Sequence, residues 1–129
     1  MTQRSRLTLF RPAALAPALL LMAACAASPS GPCGQTTVEL QVTVIEDAMT
    51  PSALEACRDI PVSLEITSEV DGEFHIHGIE GEVEAELSAS DTETLTLEFT
   101  PTVAGQFIIE VHPEEGEEFE AGVLTVNEP

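Results

Sequence analysis

The chemistry this chain can do is concentrated in its three histidines. Two stand in Glu73-Phe74-His75-Ile76-His77-Gly78-Ile79 and the third in Glu110-Val111-His112-Pro113. In an extended strand residues i and i+2 share a face, so His75 and His77 point the same way, opposite Phe74 and Ile76. Their Cβ atoms then lie about 6.6 Å apart, a gap that two imidazoles can close onto one ion. His112 ends a second apolar-polar run and can supply a third nitrogen. Imidazole suits Cu(II), Zn(II) and Ni(II), while surrounding carboxylates would add oxygen ligands and draw cations towards the site. A lone histidine reads as a solvated or hydrogen-bonded surface residue. An H-x-H pair with one more histidine at a strand end reads as a metal site formed by His75, His77 and His112.

The cysteines are Cys25, Cys33 and Cys57. Cys25 follows Leu21-Met22-Ala23-Ala24, which resembles the bacterial lipobox, where small residues precede a cysteine that is acylated and becomes the new N-terminus. Ala24-Cys25-Ala26 also fits an ordinary small-x-small cleavage site, which would discard the cysteine. With Cys25 acylated, Cys33 and Cys57 remain as one pair in an oxidising compartment, and a disulfide is the first expectation. Closing a loop of that length is worth roughly 3 kcal/mol on chain-entropy grounds. Thiolate ligation of a soft metal is the competing reading, but neither cysteine sits in a C-x-x-C or beside a histidine in sequence. Nothing points to an enzyme: there is no nucleophile elbow, H-E-x-x-H or phosphate loop. Glu114, Glu115, Glu117 and Glu118 flank Gly116 and read as a solvated hairpin tip. They lack the alternating acidic spacing of an EF-hand loop.

What must position these side chains is a small exported domain. The 129 residues carry 23 acidic and 4 basic side chains, a formal charge of −19. The basic residues are Arg4, Arg6, Arg11 and Arg58, with no Lys. Nucleic acid and anionic lipid headgroups are thereby excluded as partners, since both require Lys and Arg to replace counterions. Arg4, Arg6 and Arg11 precede the uncharged run Ala13 to Ala24. That run falls far short of the roughly 20 residues of a bilayer-spanning helix and reads as the apolar core of an export signal. Residues 1–24 are accordingly expected to be a lipoprotein signal peptide. Residues 25–36, small and Pro-rich, read as a flexible tether, and 37–129 as the folded domain. The expected location is the cell envelope, on the extracytoplasmic side, with the membrane contacted through lipid alone.

Within the domain, apolar and polar residues alternate with a period of two. The runs are Val38/Leu40/Val42/Val44, Val62/Leu64/Ile66, Phe74/Ile76, Val83/Ala85/Leu87, Leu95/Leu97/Phe99, Phe107/Ile109/Val111 and Leu124/Val126. Gly, Pro, Asp and Ser clusters separate them. Such runs are half-buried strands, and seven or eight of them predict an all-β, Greek-key β-sandwich. Thr50 to Cys57 has a Thr-Pro-Ser start and a helix-tolerant Ala-Leu-Glu-Ala, which allows a short helical turn. With no Trp or Tyr and five Phe, the core must rest on Val, Leu, Ile and Ala.

The segment Val62 to Val126 resembles the cupredoxin fold, most closely the small cupredoxin-like domains of exported bacterial proteins. PVSLEITSEVDGEFHIHGI is similar to their strand, polar turn and His-x-His-Gly signature, LTLEFTPTVAGQFIIEVHP to the Pro-x-x-x-Gly turn and closing strand, and GVLTV to the final strand. In plastocyanin-like members the last loop supplies Cys, His and Met. Here those positions fall at Val111, near Glu114, and at Phe119 or Glu120. The resemblance therefore implies the fold without a blue, thiolate-bound copper. A single His-x-His pair also cannot build the clusters of multicopper oxidases. Three readings remain: an envelope lipoprotein binding Cu(II) or Zn(II) through histidines, a metal-free module docking to another envelope protein, and an acidic electron-transfer protein. The first is preferred, and want of a thiolate disfavours the third.

Overall fold

The computed structural model describes residues 31–79, 81–90 and 94–129. The expected signal peptide at 1–24, the lipidation candidate Cys25 and residues 26–30 of the tether lie outside the described residues. Alternation becomes strand throughout: β1 (Val38–Ile45), β2 (Ala48–Thr50), β3 (Ala53–Cys57), β4 (Val62–Ser68), β5 (Gly72–Ile76), β6 (Val83–Leu87), β7 (Leu95–Phe99), β8 (Gly105–Pro113) and β9 (Phe119–Asn127). They form a four-stranded sheet in the order β2-β1-β4-β7 and a five-stranded sheet in the order β3-β9-β8-β5-β6. The chain passes between sheets after β2, β3, β4, β6 and β7, so neither sheet is built from consecutive strands alone. The result is the all-β sandwich that the period-two runs predict. No helix among the described residues is long and apolar enough to cross a membrane.

The inward-facing set is the one the alternation selects. Leu64, Ile66, Phe74, Ile76, Ile109, Val111 and Leu124 are fully buried between the sheets, with Phe74 the largest of them. Aliphatic β-branched side chains fit a pleated, half-buried surface, which explains how the core forms with so few aromatics. On β7 the apolar residues Leu95, Leu97 and Phe99 are only half-buried, as suits a strand at a sheet edge.

Thr50 to Cys57 departs from its sequence reading. No helical turn forms there; Ala53–Cys57 is a strand, paired in parallel with Val123–Asn127 of β9. Leu54 and Ala56 are buried while Ala53 and Glu55 are exposed. Ala-Leu-Glu-Ala has good intrinsic helix propensity, but a single turn of helix is a poor nucleus, and ladder bonds to β9 win. Ahead of β1, Pro32–Gly34 makes one 3-10 turn. Cys33 is disulfide-bonded to Cys57 at the end of β3, with Cα atoms 5.0 Å apart and a sequence separation of 24.

Candidate metal centre

The strands β5 and β8 run antiparallel in a register that pairs Glu73 with His112, Phe74 with Val111, His75 with Glu110 and Ile76 with Ile109. Directly opposed residues share a face. Phe74, Ile76, Ile109 and Val111 fill the core, so Glu73, His75, Glu110 and His112 must all stand on the outer face. A one-residue slip would exchange the two sets, and burial of Phe74 against Val111 is what forbids it. His77 follows β5 directly; its N–H donates to the carbonyl of Ile108 and extends the ladder by one step. The three histidines thus occupy alternate positions of two neighbouring strands.

Neighbours on this face, along β5 and diagonally across to β8, are in contact. The His75 and His112 ring centroids are 4.7 Å apart with a 48° tilt, and the His75 and His77 rings stack at 5.8 Å. His77 Nε2–H donates to Glu110 Oε2 at 2.7 Å. The ligand atoms of His77, Glu110 and His112 all lie within 4.8 Å of one another. His75 falls outside that tight set yet abuts both of the other rings. The structure therefore brings all three sequence-identified histidines together and adds Glu110, which the sequence reading passed over. Its signal was present: Glu110-Val111-His112 has the same i, i+2 relation that singled out His75 and His77.

Two ring nitrogens, His75 Nε2 and His112 Nε2, are buried without a hydrogen-bond partner among the described residues. The nearest carboxylates, Glu73 at 3.5 Å from the first and Glu110 at 3.6 Å from the second, stand at charge-pair distance outside hydrogen-bonding geometry. Buried nitrogens left in this state cost free energy unless something else engages them. On their other side the imidazoles meet more acids: His75 Nδ1 is 3.7 Å from Glu84 on β6, and His112 Nδ1 is 3.6 Å from Glu118. Glu118, expected to be part of a solvated tip, is thus a neighbour of the site.

Glu110 also faces Glu120 across the β8/β9 ladder, where a register shift lets β9 carry one extra residue, Ala121. Like charges directly opposed on a sheet face repel. Among the described residues the only Lys or Arg is Arg58, and it pairs with Asp59 and Glu128. The carboxylates around the histidines have no cationic side chain to answer them.

The positions where thiolate-bound copper would require Cys, His and Met are dispersed. Val111 is fully buried in the core, Glu114 is exposed at the strand end, Phe119 is half-buried and Glu120 is exposed on the outer face.

No family model matches the chain, and no curated protein does. Solved structures do. A copper binding protein in its apo form superposes with a TM-score of 0.54 at 20% identity, over 72% of this chain and 90% of that one. Auracyanin A, a "blue" copper protein of Chloroflexus aurantiacus, gives 0.54 at 14% identity, over 70% of this chain and 99% of that one. The fold is cupredoxin-like. A chain of a heme-copper terminal oxidase dimer matches in the same way, with a TM-score of 0.53 at 15% identity, over 74% of this chain and 67% of that one. At these identities the likeness covers the cupredoxin-like framework and not the ligands, which differ between folds of one shape. In this cupredoxin-like domain the histidines decorate the outer face of a sheet.

Proposed function

We propose that the domain binds a borderline divalent metal, Cu(II) or Zn(II), through His77, His112 and Glu110, with His75 as a further imidazole reached by a rotamer change. The observation that carries this reading is the convergence of His77 and His112 on the Glu110 carboxylate with the His75 ring against both, and with two buried imidazole nitrogens lacking hydrogen bonds. Three nitrogens and one carboxylate oxygen form a donor set that such ions accept. A bound ion would take the place of the proton between His77 Nε2 and Glu110, with the single proton of the neutral imidazole moving to Nδ1. Cys33 and Cys57 are bonded to each other and offer no thiolate. Bound Cu(II) should accordingly be pale rather than intensely blue. Calorimetric titration should give one tight site for Cu(II) or Zn(II) that disappears in His75→Ala/His77→Ala/His112→Ala. Stoichiometric binding unchanged in that triple variant would place the metal on the acidic surface instead.

The same reading places the domain in the cell envelope as a lipoprotein. It is supported by the signal-like Ala/Leu run and by Cys25 behind Leu21-Met22-Ala23-Ala24. Cys25→Ala should move the protein from the membrane to the soluble envelope fraction. An intact mass showing an N-terminus beyond Cys25 and no acyl group would refute the anchor.

The second reading is a metal-free module that docks to another envelope protein. The match to a chain of a terminal oxidase is the observation in its favour, at the level of fold alone. Absence of binding at micromolar Cu(II) and Zn(II) would make it the better account.

A further inference from the structure

The candidate ligands all rise from one side. His75 and the Glu110/His112 pair stand on β5 and β8, and His77 immediately follows β5. The second sheet lies across the core and contributes nothing to this face. Exposure follows the same geometry: the side chain of His75 is 16% exposed, while those of His77, Glu110 and His112 are 41%, 37% and 36% exposed. An ion held here would have protein donors beneath it and solvent above. Around this opening stand Glu73, Glu84, Glu118 and Glu120, with no Lys or Arg of the described residues among them. Beside His77, at one end of this opening, Ile108 leaves 43% of its surface exposed.

Resting on the metal reading above, we propose that this site exchanges its ion directly with a cationic acceptor that docks over the open side and adds its own donor atom before the imidazoles let go. The ion keeps its charge throughout. One lone pair of the acceptor replaces one of an imidazole at each step, so no oxidant or reductant is involved. The carboxylate rim selects the partner: a basic surface is drawn in, while an acidic one, including a second copy of this chain, is repelled. A site enclosed by protein would release its ion first, at a rate indifferent to the acceptor.

The test uses the full chain loaded with Cu(II), mixed with excess triethylenetetramine, a polyamine that is cationic near neutral pH, or with the anionic chelator EDTA. Loss of the protein's Cu(II) signal is followed by absorbance or EPR. With triethylenetetramine the rate should double whenever the chelator concentration doubles, and it should fall as salt rises. EDTA should show the opposite salt response, because screening removes its repulsion from the rim. In Glu73→Gln/Glu84→Gln/Glu118→Gln, Cu(II) stoichiometry should persist while both salt responses flatten. Rates independent of chelator concentration would overturn direct exchange even though the metal reading stood. Proportional rates with unchanged salt responses in the triple Gln variant would overturn the cationic acceptor. A chain that takes up no Cu(II) defeats both readings, and shows it before any chelator is added.

Discussion

Glu110 is the hinge of the site at the scale of single residues. It receives the His77 N–H, stands at charge-pair distance from His112, faces His75 across one ladder and Glu120 across the other. A carboxylate so placed has two roles that a substitution can separate. Glu110→Gln keeps the shape and one acceptor oxygen but removes the charge, so metal affinity should fall about tenfold, ~1.4 kcal/mol. His77→Ala removes a directed nitrogen and should cost on the order of 100-fold. Glu115→Ala, in the exposed β8–β9 connection, removes one of many screened charges and should leave affinity unchanged within error. Titration of the three variants checks the order; equal losses in all three would mean that bulk charge, not coordination, holds the ion. Protons and metal compete for the same lone pairs, and ligating imidazoles must be neutral, so affinity should drop as the solution is acidified. A site made of carboxylates alone would hold its affinity to lower pH, which gives the measurement a second reading of donor type.

At the scale of elements, the site exists because β5 and β8 keep one register, and Gly72 is where that register is pinned. Gly72 pairs with Pro113, one step from the Glu73/His112 pair. A Cβ at Gly72 would run into the carbonyl oxygen of His112 and would stand 2.7 Å from Cα of Pro113, both backbone atoms that cannot step aside. Gly72→Ala should therefore push the end of β8 outwards, lower the thermal midpoint and weaken metal binding together. Gly81→Ala, where a Cβ meets nothing within 4 Å but φ is +80°, should lower the midpoint through backbone strain and yet leave metal binding and the His112 ring unaltered. NMR of the His112 ring and thermal melts of both variants measure the difference, and an unaltered His112 environment in Gly72→Ala would break the link between register and site. This dependence on register also explains what could be read in advance. Period-two alternation marks Val62–Ser68 and Gly105–Pro113 as strands because each face is decided locally. The strand at Ala53–Cys57 is not local: its Ala-Leu-Glu-Ala fits a helix equally well, and only pairing with β9 settles it. His75 and His77 share a face by spacing alone, whereas the approach of His112 requires the pairing of residues far apart in sequence. Glu110 was legible through Glu110-Val111-His112, but Glu73-Phe74-His75 has the same spacing, and only the pairing of β5 with β8 tells the two apart.

At the scale of the whole molecule, the formal charge of −19 sets a background against which any specific site must be measured. Carboxylates spread over both sheets repel one another, so the folded state carries self-repulsion that salt relieves. Raising NaCl from about 0.01 M to 1 M shortens the screening length from about 30 Å to about 3 Å and should raise the thermal midpoint by several degrees. A bound ion acts by a different route. It stabilises the fold in proportion to the logarithm of its free concentration over its dissociation constant, about 2.7 kcal/mol at a hundredfold excess. For a domain of this size that is a shift on the order of 10 °C. The two routes separate cleanly when melts are run at 1 M NaCl, where diffuse attraction is screened. Under those conditions micromolar Zn(II) should still raise the midpoint of the parent chain, equimolar Mg(II) should not, and His75→Ala/His77→Ala/His112→Ala should respond to neither while keeping the NaCl response. Imidazoles discriminate against a hard cation such as Mg(II), whereas a field of carboxylates does not. Equal shifts from Zn(II) and Mg(II), or a Zn(II) shift that survives in the triple variant, would assign the effect to the acidic surface and remove the histidine centre from the account.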